Sequence, residues 1–314
     1  MKGTIIIPKY YLSRQWSSDI IEGKEDFSNV SRVMAILFYA MRDSFGFDLK
    51  FADEISVSPD TDVVVLFGVP YHNRPKMIPG LLDLNPKIKL ITYPGDIQCY
   101  NDPTCIENKI KVFNRSNLIV SGSYEYFSKI YPQFMGKYKF LPLFFGPHKR
   151  YVELPFNEAP KMRCLLSGAI NPTIYPSRAM LRKARIERID YRSTKHALGD
   201  AYAKLLNSYF CCVATPSIFN YATAKYFEIP AAGSLLIAIG TKDLKRAGFI
   251  ANKHYVSVTK KTIITQITQC LDFPEEYEHI RIEGTKFARE NHSVVNRINT
   301  ISTILEEEIN IWQV

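Results

Sequence analysis

The chain is 314 residues long, enough for two domains of roughly 150 residues each. Hydrophobic residues make up 46% and charged residues 23%, a balance that can bury a core and excludes a disordered chain. No window approaches the ~18 to 20 uninterrupted apolar residues of a transmembrane helix, and Pro8 cuts the run Ile5 to Ile7 before it can serve as a signal-peptide core, so a cytoplasmic protein is expected. Lys plus Arg number 40 against 31 Asp plus Glu, a net charge of +9 that favours an anionic partner, whether nucleotide, phospholipid surface or nucleic acid. The six cysteines form no CxxC pair and have no histidine at metal-ligand spacing; reduced, buried thiols and no zinc site are expected.

In chain order, the apolar run Thr4 to Ile7 predicts a first strand, and Val30, Val33, Met34, Leu37, Phe38 and Met41 then fall at helical spacing, with Gly46 as C-cap. Asp48 to Ala52, Asp62 to Phe67, Ile88 to Thr92 and Leu118 to Ser121 predict further strands, most of them separated by helix-length intervals. That alternation is the pattern of a parallel sheet. Pro142, Gly146, Pro147, Pro155 and Pro160 then interrupt all periodicity and mark a linker. Beyond it the alternation restarts with Arg163 to Leu166, Arg188 to Tyr191, Phe210 to Ala214, Ser234 to Ile239 and Tyr255 to Val258. From about Glu275 to Ile311 the chain reads as helix with a break near His292 and Ser293. The fold class expected is α/β, with two Rossmann-like, doubly wound parallel-sheet domains over residues 1–150 and 151–292, followed by a terminal helix over 293–314.

Open α/β sheets bind ligands outside the carboxyl ends of their strands, so the loops to read are Gly68 to Asn73, Tyr93 to Tyr100, Ser167 to Arg178 and Thr215 to Tyr221. Ser167 and Gly168 end a strand in small residues that let an anion approach the backbone, and Pro176 opens a helix carrying Arg178 near its positive end. A pyrophosphate fits this arrangement; a plain turn and a solvated arginine fit it too. Neither GxxxxGK[ST] nor GxGxxG occurs, which takes away most of the support for the ATPase and Rossmann dehydrogenase readings. In the run from Asn220 to Gly233, Lys225 and Glu228 stand three apart on one helical face, and Ala231, Ala232 and Gly233 remove bulk where the chain turns into a strand. An i,i+3 ion pair followed by a C-cap glycine accounts for the same spacing.

Lys225-Tyr226-Phe227-Glu228-Ile229-Pro230-Ala231-Ala232-Gly233-Ser234-Leu235-Leu236 resembles the donor-site segment of GT-B glycosyltransferases, in particular the CgeB or spore-protein-like group. Leu166-Ser167-Gly168 with Tyr175-Pro176-Ser177-Arg178, and Asn117 to Ser121 with Leu141-Pro142, resemble other segments of that group, so the likeness runs over residues 85 to 305. The resemblance implies a two-domain enzyme of polysaccharide biosynthesis. It would move a sugar from a nucleotide-sugar donor in the second domain to a glycan, lipid-linked or other hydroxyl acceptor in the first, with the terminal helix crossing back to the first domain. It implies Glu228 on the ribose hydroxyls, Ala232 and Gly233 near the diphosphate with Ser167 and Gly168, and Arg178 and Lys225 neutralising the leaving nucleotide without a metal or cofactor.

The sequence departs from the wider superfamily at Asn220, eight residues before Glu228, where retaining members carry a second glutamate. An inverting enzyme would need a base in the first domain; Asp96 in Tyr93-Pro94-Gly95-Asp96 and then His72 are the candidates, although an Asx turn fits Asp96 equally and a histidine placed like His72 is more often a structural loop residue than a base. The departure also leaves room for a non-catalytic nucleotide- or carbohydrate-binding protein of the same fold. The stretch from Arg178 to Lys195 carries Arg182, Lys183, Arg185, Arg188 and Arg192 against Glu187 and Asp190. It fits a solvated helix face or a peripheral membrane contact. With Tyr191 its only aromatic, it does not fit nucleic-acid binding.

Overall fold

The computed structural model describes residues 2–8, 33–52, 54–68, 77–95, 97–99, 102–146, 148–192 and 199–309. They divide into two compact units. The first takes in the described residues of Met1–Glu25, Met34–Leu141 and Arg297–Val314, and the second those of Asp26–Val33 and Pro142–Asn296.

In the first unit, runs of β-branched and large apolar residues form strands buried on both faces. β1 (Gly3–Pro8) and β3 (Val63–Phe67) contain no exposed residue, as expected of parallel strands covered by helices on both sides. With β2 (Asp48–Ala52), β4 (Lys89–Tyr93), β5 (Leu118–Ser121) and β6 (Tyr138–Phe140) they make a six-stranded parallel sheet in the order β2-β1-β3-β4-β5-β6. The intervening helices are α1 (Val33–Phe45), α2 (Met77–Leu82), α3 (Pro103–Arg115) and α4 (Tyr124–Ile130). Asp102 caps α3 by accepting the N–H groups of Thr104 and Cys105 at 3.0 and 3.3 Å, with Pro103 at the first helical position.

The same turn corrects the expectation of reduced thiols at two positions: Cys99 and Cys105, six residues apart with Cα atoms 5.6 Å apart, form a disulfide. Cys164, Cys211, Cys212 and Cys270 are free and buried.

The second unit holds α5 (His148–Val152), β7 (Lys161–Ser167), α6 (Pro176–Ala184), β8 (Ile189–Arg192), α7 (Gly199–Asn207), β9 (Tyr209–Ala214), α8 (Lys225–Ala231), β10 (Leu235–Ile239), α9 (Lys242–Arg246), β11 (Val256–Val258), α10 (Ile263–Asp272) and α11 (Glu278–Asn291). Its five strands are parallel in the order β11-β10-β9-β7-β8. α11 lies so close to the loop before β11 that a Cβ on Gly284 would sit 2.3 Å from the His254 carbonyl oxygen. The chain breaks at His292 and Ser293, and α12 (Val294–Ile309) follows. Residues of α12 from Arg297 onward count in the first unit, where Glu308 pairs with Lys139 of β6. Among the described residues, no helix is long and apolar enough to cross a membrane.

Candidate functional site

The two sequence segments singled out for donor binding converge at the carboxyl edge of the second sheet. β7 delivers Ser167 and Gly168 there, and Gly168 takes φ +106°, a conformation that glycine reaches without steric cost. α8 runs back along the sheet with Tyr226, Phe227, Ile229 and Ala231 fully buried, and the Tyr226 hydroxyl donates to the Ile239 carbonyl at 2.8 Å. That packing leaves Lys225 and Glu228 together on the partly exposed face. α6 starts at Pro176 and buries Arg178, whose Nη1 donates to the Ala169 carbonyl at 2.8 Å and whose guanidinium lies 4.3 Å above the Tyr175 ring.

Two cations therefore meet over one glycine. A Cβ placed on Gly168 would lie 2.9 Å from Lys225 Cε and 3.0 Å from Arg178 Nη1, so only glycine leaves room beneath both charges; its own N–H donates to the Arg192 carbonyl at 3.0 Å and its carbonyl accepts from the Tyr191 hydroxyl at 2.9 Å. Tyr202 of α7 holds the arrangement from the side. Lys225 Nζ donates to its hydroxyl at 2.8 Å, and the same hydroxyl shares a hydrogen bond with Ser167 Oγ at 3.0 Å.

Burial pushes the Glu228 carboxyl above its usual range, against the pull of Lys225 and Arg150. Burial also works against the charge on Lys225, but Tyr202 and Glu228 outweigh it and leave that pKa raised. Arg150 of α5 is almost wholly buried and donates from Nε to Asp200 at 2.6 Å. Two hydroxyls at this edge, Thr215 Oγ1 and Thr223 Oγ1, are buried without a hydrogen-bond partner. A buried polar atom left unpaired costs free energy, and a ligand can supply the missing partner.

Asn220 stands in the loop between β9 and α8, exposed and in the left-handed region at φ +56°. That loop is tied to the loop preceding α6 by the Ile218 N–H on the Ile174 carbonyl. Ser167, Gly168, Arg178, Lys225 and Glu228 are thus brought together, with Asn220 on the adjoining loop. Asp96 and His72 lie outside the described residues.

Ala232 and Gly233 stand apart from that group. They follow α8 and precede β10, which puts them at the amino edge of the sheet, one strand length from Gly168. Their N–H groups donate to Glu228 and Pro230 carbonyls, and their own carbonyls accept from Asn207 Nδ2 and Arg281 Nε at 2.7 and 2.8 Å. Two carboxylates one residue apart, a spacing that suits a divalent cation, occur at Asp60 and Asp62. They too stand at an amino edge, before β3, where Asp60 pairs with Lys2 Nζ and Asp62 accepts the Lys2 N–H at 2.8 Å. Among the described residues, no three His, Cys, Asp or Glu side chains gather as a metal ion requires.

Two parallel α/β units of six and five strands match the fold of GT-B glycosyltransferases. More particularly, residues 153–303 match the model of the glycosyl transferase-like family. The fold is similar to that of sucrose-phosphate synthase from Thermosynechococcus elongatus, at a TM-score of 0.63 and 10% identity over 99% of both chains. It is similar also to an alpha1,3-fucosyltransferase, at 0.60 and 16% identity over 98% of this chain and 90% of the other. An alpha-glucosyltransferase in complex with UDP and DNA gives 0.59 and 9% identity over 98% of this chain and 100% of the other. No curated protein matches the chain in sequence.

Proposed function

We propose that the chain transfers a glycosyl group from a nucleotide-sugar donor to a hydroxyl acceptor, holding the donor diphosphate over Gly168. The observation that carries this reading is the convergence of Arg178 and Lys225 on the Gly168 backbone, beside the unpaired hydroxyls of Thr215 and Thr223. As the glycosidic bond breaks, negative charge grows on the departing nucleoside diphosphate, and two fixed cations in a partly dry site stabilise it there. Glu228 accepts hydrogen bonds from the ribose hydroxyls, Ser167 donates to a phosphate oxygen, and Asn220 bonds the donor sugar. Asp96, or else His72, takes the proton of the acceptor hydroxyl. The reaction runs without a metal, since Arg178 and Lys225 already occupy the place where a cation would act. UDP, which the alpha-glucosyltransferase structure holds, is the first nucleotide to try. The Lys225 to Gly233 motif favours the spore-protein-like group within the class, and the acceptor is a glycan or lipid-linked sugar met in the cytoplasm.

Incubation with UDP-, GDP- and CMP-sugars tests this. One donor should release its nucleotide, with release unchanged by a chelator and reduced at least about tenfold in Arg178→Ala and Glu228→Ala, each of which removes a charged hydrogen-bond partner. Donor binding with no release under any acceptor supports the non-catalytic binding protein instead. Undiminished release in both variants removes the site assignment.

A further inference from the structure

Beside the Gly168 site, α6 and the edge strand β8 line a half-open groove of about 700 Å³; of its lining, the Tyr191 hydroxyl donates to the Gly168 carbonyl at 2.9 Å and the Arg192 carbonyl accepts the Gly168 N–H at 3.0 Å. Its walls divide by chemistry. Leu166, Leu181 and Ile189 give it an apolar side, and Arg182, Lys183, Arg185 and Arg192 a basic one. The one acid of its lining, Asp190, is hydrogen-bonded by Arg163 at 2.7 Å and by the Tyr209 hydroxyl at 2.9 Å and also attracts Arg192, so it offsets only a part of the four positive charges. Among the described residues none of the four has an ion-pair partner.

A solvated helix face would leave these groups in water, and for Arg192 that is not the case. Its Nη1 donates to the Tyr191 carbonyl at 3.1 Å, but its Nε is shielded from solvent and has no hydrogen-bond partner. An N–H of a guanidinium buried without an acceptor is costly, and an oxyanion in the groove would relieve it. Arg182 is preorganised in the same wall, its guanidinium stacked 4.0 Å over the Tyr191 ring.

We propose that this groove is a second anion site, adjoining the diphosphate site over Gly168 through Tyr191 and Arg192 but built on other cations, which takes the phosphate group of an ester whose remaining part lies on Leu166, Leu181 and Ile189. Several arginine forks around one point suit a tetrahedral oxyanion with many acceptor lone pairs. The volume falls within the roughly 300 to 1,000 Å³ of small-molecule sites, more than a bare ion needs. The chemistry is that of a phosphate ester, supplied either by a soluble compound or by a phospholipid headgroup.

The test titrates glycerol 3-phosphate by calorimetry and, in parallel, sediments the protein with phosphatidylcholine vesicles that contain or lack phosphatidic acid. Binding in at least one arm is expected, saturable and weakened about tenfold or more by Arg192→Gln and by the double charge reversal Arg182→Glu/Arg185→Glu, and unaffected by Arg178→Ala. Calorimetric binding identifies a soluble ester; binding confined to phosphatidic acid vesicles identifies a headgroup. Arg182 and Arg185 are exposed, so the double variant reports on the groove even where Arg192→Gln does not fold. The proposal is overturned where the wild type binds neither probe, where binding survives the double variant, or where Arg178→Ala alone abolishes it.

Discussion

Tyr202 is the residue on which the geometry of the site turns, since its hydroxyl joins Lys225 to Ser167 across two elements. Tyr202→Phe keeps the ring that packs there and removes only the bridge. Nucleotide affinity should fall several-fold, in line with about 1 kcal/mol for one hydrogen bond, while the melting temperature stays within a degree or two of wild type. An unchanged affinity by titration calorimetry would show that Lys225 needs no such support. Gly233 makes the opposite case. At φ +89° with its backbone groups spent on Pro230 and Arg281, it belongs to the folding of the second unit, not to its ligand. Gly233→Ala should cost about 1 to 2 kcal/mol of stability in denaturant unfolding and leave nucleotide affinity of the folded protein as it was. Weakened affinity at full stability would support the diphosphate role that the resemblance implies. The placement of Lys225 and Glu228 on one helical face was legible because three-residue spacing on a helix is a local rule. Tyr202 was not, because a tyrosine in an apolar helix reads as core, and its partners lie 23 and 35 residues away.

At the scale of elements, the loop from Ile250 to His254 meets α11 through stacked rings, with His254 and Phe287 centroids 4.0 Å apart. His254 Nδ1 accepts the Ile250 N–H at 3.2 Å, a bond available only to the neutral imidazole. Burial, helped by Lys253 and opposed by Glu283, depresses the pKa of His254 below 6.5. With the folded value below the unfolded one, the stability this contact contributes is present above about pH 6.5 and is lost as pH falls through the folded pKa. The melting temperature should therefore decline on acidification below that point, and His254→Gln should flatten the decline. An equal slope in both proteins would place the sensitivity elsewhere. The elements that sequence patterning missed are the ones with little pattern to offer. β6 has three residues and follows a 3-10 turn at Pro132–Lys137, too short for any period to show. The Cys99–Cys105 pairing depends on the turn that Asp102 caps, which the spacing of cysteines alone does not reveal.

For the whole molecule, the two sheets were readable because parallel strands buried on both faces appear as uninterrupted apolar runs, such as Val63–Phe67 and Tyr209–Ala214, set apart by helix-length intervals. The division between units falls at Leu141 and Pro142, where prolines end the periodicity. What composition could not say is where the excess of nine positive charges acts. The structure sorts part of it into the Arg178–Lys225 pair over Gly168 and part into the wall of the groove beside β8. The most direct test of the glycosyltransferase reading is a crystal structure of the chain soaked with UDP or with whichever nucleoside diphosphate it binds. The account predicts the diphosphate against the Gly168 backbone within hydrogen-bond distance of Arg178 and Lys225, with the ribose on Glu228. A nucleotide bound anywhere else, with Gly168 bare and Glu228 untouched, would contradict it.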